Sequence, residues 1–149
     1  MQVIFNTGNV MKTPGATHRS ACPINLTLET VGDGWTLLIV RDMVFKGMQA
    51  FNEFLGAEEG IATNILTDRL RRLESAGIVD KHRDIQDTRR FVYRLTPKGI
   101  DLAPILVDMV LWAAQHERAD VPEDLLAQIR QDREGFLSGL RAAWQSAQT

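Results

Sequence analysis

The 149 residues contain one cysteine and one tyrosine, and no apolar run approaches the about 18 residues that a membrane helix needs. One cysteine rules out an internal disulfide framework and fits a reducing compartment, so a cytoplasmic protein is expected. His18, His82 and His116 lie far apart and share no ligand spacing with Cys22, so neither a metal site nor a cofactor is expected. The opening segment, MQVIFNTGNVMKTPGATHRS, lacks a basic stretch followed by an apolar one and does not read as a secretory signal. A thiol enzyme built on Cys22 would need a base and an anion-stabilising group beside it. No such Cys–His set, and no Ser–His–Asp set, can be nominated, so an enzyme is not expected.

What is present is the composition of one globular domain with a real core: 44% hydrophobic and 24% charged residues. The net charge of −2 hides an asymmetry. Residues 61–98 hold nine Lys and Arg against five Asp and Glu, a net of +4, which leaves −6 for the rest of the chain. A basic middle in a mildly acidic chain is one way a footprint for nucleic acid arises, although a solvated surface gives similar counts.

Residues 1–20 read as a polar arm. CPINLTLETVG opens a helix with Pro23 in its first turn and Ile24, Leu28 and Val31 at helical spacing. WTLLIVRDMVFKG follows as a second helix with Trp35, Leu38, Ile39 and Met43 inward, and MQAFNEFLGA as a short third. The segment from about 62 to 76 is the clearest helix. At about 100° per residue, Leu66, Leu70 and Leu73 form one stripe, with Asn64, Asp68, Arg71 and Ser75 opposite it. IVDKHRD and RRFVYRL then predict two short strands with IQDT at the tip, and TPKG starts a further helix with Thr96 as N-cap. That helix, through IDLAPILVDMVLWAAQH, is apolar over more than one stripe and calls for a second subunit to cover it. Residues 117–149 predict one amphipathic helix carrying Leu125, Ile129, Phe136, Leu140 and Trp144 on one face.

Three helices, a hairpin and further helices make a mostly α fold with a small β wing, a winged helix-turn-helix over residues 21–116. The helix over 62–76 is the candidate recognition helix for the major groove of double-stranded DNA, through Thr63, Asn64, Thr67, Asp68, Arg71 and Arg72. Asn can pair with adenine, Arg with guanine or phosphate, and Asp can accept from cytosine or orient a neighbouring arginine. Arg69, close to the leucine seam, is expected to brace the first helices rather than read a base. On the wing, residues 78–95, the cations Lys81, Arg83, Arg89 and Arg90 are candidates for the phosphate backbone or minor groove. In isolation every one of these residues would be ordinary solvated polarity.

The chain also resembles the HxlR-type winged-helix regulators of bacteria and archaea. The residues that carry the resemblance are Cys22–Pro23, GWTLLIVRD at 34–42, FNEF at 51–54, GIATNILTDRLRRLESAGIV at 60–79 and VYRLTPKG at 92–99. The resemblance runs from Cys22 to about His116 and implies a dimeric DNA-binding transcription factor whose N- and C-terminal helices form the dimer. It departs at Gly34 and Ala50, where basic residues are usual. It departs also at Ala62, which shifts the expected helix cap to Thr63, and at Asp68, where Gln is more common.

Some members of that family sense oxidants at the Cys-Pro position, which here is Cys22. At the start of a helix the dipole attracts negative charge, yet a free cysteine usually behaves as a small buried residue. The leading expectation is a homodimeric repressor on an inverted-repeat operator, with a small-molecule or oxidant inducer left open. The rival expectation is a winged-helix protein-interaction module that binds no DNA.

Overall fold

The computed structural model describes residues 18–148. Apart from His18, Arg19 and Ser20, the expected arm lies outside the described residues. Helix α1, Pro23–Val31, starts with Pro23 in its first turn, where the missing N–H has no helical partner to lose, and stops at Gly32. The turn into α2, Thr36–Lys46, is built on Asp33, whose carboxylate accepts the N–H groups of Trp35 and Thr36 at 2.9 and 3.1 Å and the Thr36 hydroxyl. The left-handed Gly47, φ 65°, ends α2.

Only Phe51–Leu55 of the expected third helix is helical, as α3. Ala50, instead, forms an antiparallel bridge with Val92, and Tyr93 donates its N–H to the Gln49 carbonyl at 2.8 Å. The Glu53 carboxylate accepts the N–H groups of Gln49 and Ala50 at 2.7 and 2.8 Å, which fixes where the extended segment turns into helix.

Helix α4, Thr63–Ser75, buries Leu66, Leu70 and Leu73, each fully enclosed, as the leucine periodicity requires. Burying each such side chain contributes about 1.5–3 kcal/mol. Its C-terminus closes with Ile78 N–H on the Leu73 carbonyl and Gly77 N–H on the Glu74 carbonyl, at 2.9 and 3.0 Å. That closure needs the left-handed Gly77, φ 67°. It also turns the chain directly into the buried pair Ile78 and Val79, from which the wing departs.

Strands β1, Val79–Arg83, and β2, Phe91–Leu95, pair antiparallel with Val79 opposite Leu95 and Arg83 opposite Phe91. Thr96 caps α5, Pro97–Ile100, by accepting the Gly99 N–H at 3.1 Å, and it donates its hydroxyl to the Gly77 carbonyl at 2.6 Å. Gly99 permits this junction, because a Cβ there would stand 2.2 Å from the Ile78 carbonyl oxygen. A further helix follows, but not continuously. The chain turns at Asp101 and Leu102, and α6 runs from Ala103 to His116 with Pro104 in its first turn.

The single helix expected after residue 117 is two: α7, Glu123–Gln131, and α8, Arg133–Ser146. Asp132 breaks it with an extended backbone, φ −150° and ψ 79°, and its side chain then caps α8 by accepting the Gly135 N–H at 2.8 Å. Ile129 is buried, while Leu137, Leu140 and Trp144 pack against the core of the same chain. That core is one cluster drawn from α2, α3, α4, the wing base and α6, including Val40, Phe54 and Leu95.

Candidate nucleic-acid interface

With its leucines committed to the core, α4 turns Thr63, Asn64, Thr67, Arg71 and Arg72 to solvent. Asp68, on the same side, is half-buried and forms the electrostatic centre of the face. Its carboxylate meets Arg69 at 2.5 Å, Arg72 at 2.9 Å and Arg71 at 3.2 Å. Desolvation pushes the Asp68 carboxyl up, and the three guanidiniums outweigh it, Arg72 foremost, so the group is held below the usual aspartate value. The charge that Asp68 places on the face pre-sets Arg71 and Arg72 in one fan while both stay exposed.

Arg69 has a different task. Its Nε donates to Asp33 at 2.8 Å, which ties α4 to the turn between α1 and α2. The expected cap at Thr63 is absent. Ala62 occupies the N-cap and has no side-chain acceptor, and Thr63 is the first helical residue. Thr67 donates its hydroxyl to the Thr63 carbonyl at 2.8 Å and keeps its lone pairs.

On the wing, Lys81, Arg83, Arg89 and Arg90 are all exposed. They are held in two groups. Lys81 Nζ lies 4.2 Å and the Arg83 guanidinium 4.8 Å from the centre of the Phe91 ring, and Arg83 also donates to the Thr88 carbonyl at 2.7 Å. Arg89 and Arg90 share Asp87 at 3.1 and 3.9 Å, and hydrogen bonds from Arg89 hold the Asp87 carboxyl below its ordinary value. Phe91 went unnoticed in the sequence as the platform for two cations. Its signal was the strand register that sets Arg83 opposite it.

Not all of the basic tract serves this surface. Lys98 donates to the Ala76 carbonyl at 2.6 Å at the end of α4, and Arg94 is half-buried at the wing base. Cys22 lies apart from the face, half-buried at the N-cap of α1, with its N–H directed to the Ser20 hydroxyl at 3.4 Å. Among the described residues, no helix is long and apolar enough to cross a membrane.

This arrangement, a helix-turn-helix whose second helix presents arginines and an amide and leads into a two-stranded wing, has clear relatives. Residues 30–121 match the HxlR-like helix-turn-helix family. An uncharacterized HTH-type transcriptional regulator of Synechocystis, sll1512, is 34% identical over 88 residues, 59% of this chain and 64% of that protein. YybR of Bacillus subtilis, a regulator of the same description, is 35% identical over 97 residues, 64% of this chain and 75% of that one. The chain thus spans about two-thirds or less of sll1512, and 58% of the Mycobacterium tuberculosis regulator Rv3095.

Among solved structures, PA1607, whose role as a transcription factor is inferred rather than established, superposes with a TM-score of 0.63 at 37% identity, over 70% of this chain and 72% of that one. The oxidized redox regulator HypR superposes at 0.58 and 31% identity, over 66% of this chain and all of that one. The chain belongs to the HxlR-like helix-turn-helix family, whose members are DNA-binding transcriptional regulators and not enzymes.

Proposed function

We propose that the protein is a homodimer that recognises a specific double-stranded sequence and represses the gene beside it. In this reading α4 enters the major groove and the wing rests on the backbone or in the minor groove. The observation that carries it is the α4 face itself. Asn64, Thr67, Arg71 and Arg72 stand exposed over a fully buried leucine seam, with Asp68 fanning the two arginines outward. Two such helices in a dimer call for an inverted repeat with half-sites roughly 34–36 Å apart. A dimer seated on a promoter excludes polymerase, so repression is the proposed effect.

The test is a fluorescence-anisotropy titration against the protein's own upstream DNA and a scrambled duplex, at several salt concentrations. Preference for the native DNA, with affinity falling steeply with salt, is expected. Arg71→Ala should weaken operator binding by about 1–3 kcal/mol. Negligible binding to both duplexes would favour a winged helix that docks on proteins.

A second reading concerns regulation through Cys22. It is favoured by the likeness to HypR and to YodB of B. subtilis, solved in reduced and quinone-bound forms. Cys22 stands at the start of α1, ahead of the residues that match the family.

A further inference from the structure

Helix α8 lies beyond the residues that match the family, 30–121, yet it packs back onto the family's winged-helix core. Its last turn is fastened to β2 by Trp144 Nε1, which donates to the Leu95 carbonyl at 2.8 Å, and Gln148 Nε2, just past its end, donates to the same oxygen at 3.3 Å. Between α8, the end of α2 and β2 remains a partly open cavity of about 220 Å³. Its apolar wall includes Met43, Phe45, Ile100 and Trp144, and its polar lining includes Gln49 and Arg94.

Arg94 is the feature that needs an explanation. Its Nε is shut away from solvent, and among the described residues no acceptor lies within hydrogen-bond reach of it. A guanidinium is always charged, and a buried donor without an acceptor is costly enough that native proteins seldom keep one. Arg94 also lines the cavity, and among the described residues no carboxylate pairs with its guanidinium, so an anion seated in the cavity would meet a cation that the chain itself leaves unneutralised. A single guanidinium against a mostly apolar wall suits a carboxylate attached to a hydrophobic body, because a phosphate would need more donors than one arginine and an amide provide. An apolar cavity of about 150 Å³ admits benzene, so about 220 Å³ accommodates one ring together with its carboxylate.

We propose that this cavity is a binding site for a small aromatic or branched aliphatic carboxylic acid, held by Arg94 and sandwiched against Trp144. The site goes beyond the DNA-binding reading and does not rest on it. It would join residues beyond the family match, Trp144 and Gln148, to α2 and β2 of the winged helix.

Calorimetric titration of the full chain with benzoate and phenylacetate tests the proposal, with benzamide and benzyl alcohol as neutral counterparts. Saturable binding of one carboxylate per chain is expected, with the neutral compounds at least about tenfold weaker, as for loss of a charged hydrogen bond. Arg94→Met, which keeps the apolar stem, should weaken benzoate by a similar factor, and Arg94→Lys should restore part of it. If Arg94→Met does not fold by circular dichroism, the comparison of charged with neutral probes on the unaltered protein still decides. No saturable binding of either acid at millimolar concentration, or equal affinity for the neutral compounds, or unchanged binding in folded Arg94→Met, overturns the proposal.

Discussion

Cys22 combines two properties that matter for regulation: it is half-buried rather than enclosed, and it sits at the mouth of α1 with Pro23 after it. As the chain's only cysteine, it cannot close an intrachain disulfide. Oxidation there must give a sulfenic acid, a mixed disulfide with a small thiol, or a bridge between two copies of the chain. Each adds bulk or polarity at the start of α1, whose Ile24 and Leu28 are exposed and apolar. Hydrogen peroxide or diamide should therefore weaken operator binding by about fivefold or more, the scale of an ordinary allosteric coupling. Dithiothreitol should restore it, and Cys22→Ser should be indifferent to the oxidant. An identical oxidant response in Cys22→Ser would remove Cys22 from the regulation. At this scale the sequence counts charges but places only some of them. Arg69, near the leucine seam, ends on Asp33 in the turn between the first helices, as its position predicts, whereas Arg94 and Lys98 of the same basic tract end beside a cavity and on the Ala76 carbonyl.

The position of α4 depends on contacts between elements, of which the Asp33–Arg69 pair is the most direct. Burial alone would raise the Asp33 carboxyl, but hydrogen bonds from Thr36 and Arg69 and from the Trp35 and Thr36 N–H groups outweigh it and lower it from 3.8 to about 2. A group whose pKa is lower folded than unfolded stabilises the fold above its unfolded pKa and loses that contribution as pH falls through its folded one. Asp33→Asn should therefore melt below the unaltered protein at pH 7, with the gap narrowing between about pH 4 and pH 2. Thermal melts across that range decide; a gap that stays constant would assign the effect to packing instead. The elements with strong local signals were legible in advance: the leucine stripe of α4, the strand in RRFVYRL that becomes β2, and Thr96 as the N-cap of α5. Those set by distant partners were not. Met48–Ala50 stays out of the helix because Ala50 is extended and meets Val92, and the helix after 117 breaks at Asp132, which caps the next one just as well as it would continue the last. The carboxylate cavity depends on Trp144 meeting Leu95, 49 residues away, and no periodicity announces that.

At the scale of the whole molecule, α1 and α6 leave large apolar side chains uncovered. Ile24 and Leu28 on α1 are 61% and 56% exposed, and Met109 and Trp112 on α6 are 50% and 59% exposed, with Ile105 beside them. The two helices are neighbours, since Leu26 and Thr27 of α1 border the same shallow groove as Leu102 at the start of α6. Large apolar side chains left outward on adjacent helices mark an association surface rather than an ordinary exterior, and a second copy of the chain offers the same apolar surface in return. The α8 face, by contrast, is already spent on the chain's own core through Leu137, Leu140 and Trp144. Dimerisation is thus proposed through α1 and α6. Met109→Glu and Trp112→Glu, both at exposed positions, should leave the helical circular dichroism unchanged while sedimentation shifts from dimer to monomer. Because a monomer engages one half-site at a time, operator affinity should fall by about 10²-fold or more, the ordinary loss when two linked contacts become one. Binding to a single half-site duplex should hardly change in the same variants. If both variants sediment with the unaltered protein, α1 and α6 are not the dimer surface. A loss of affinity on the half-site duplex as large as on the full operator would place the damage in the DNA-reading unit itself, and the two helices would then need a different partner.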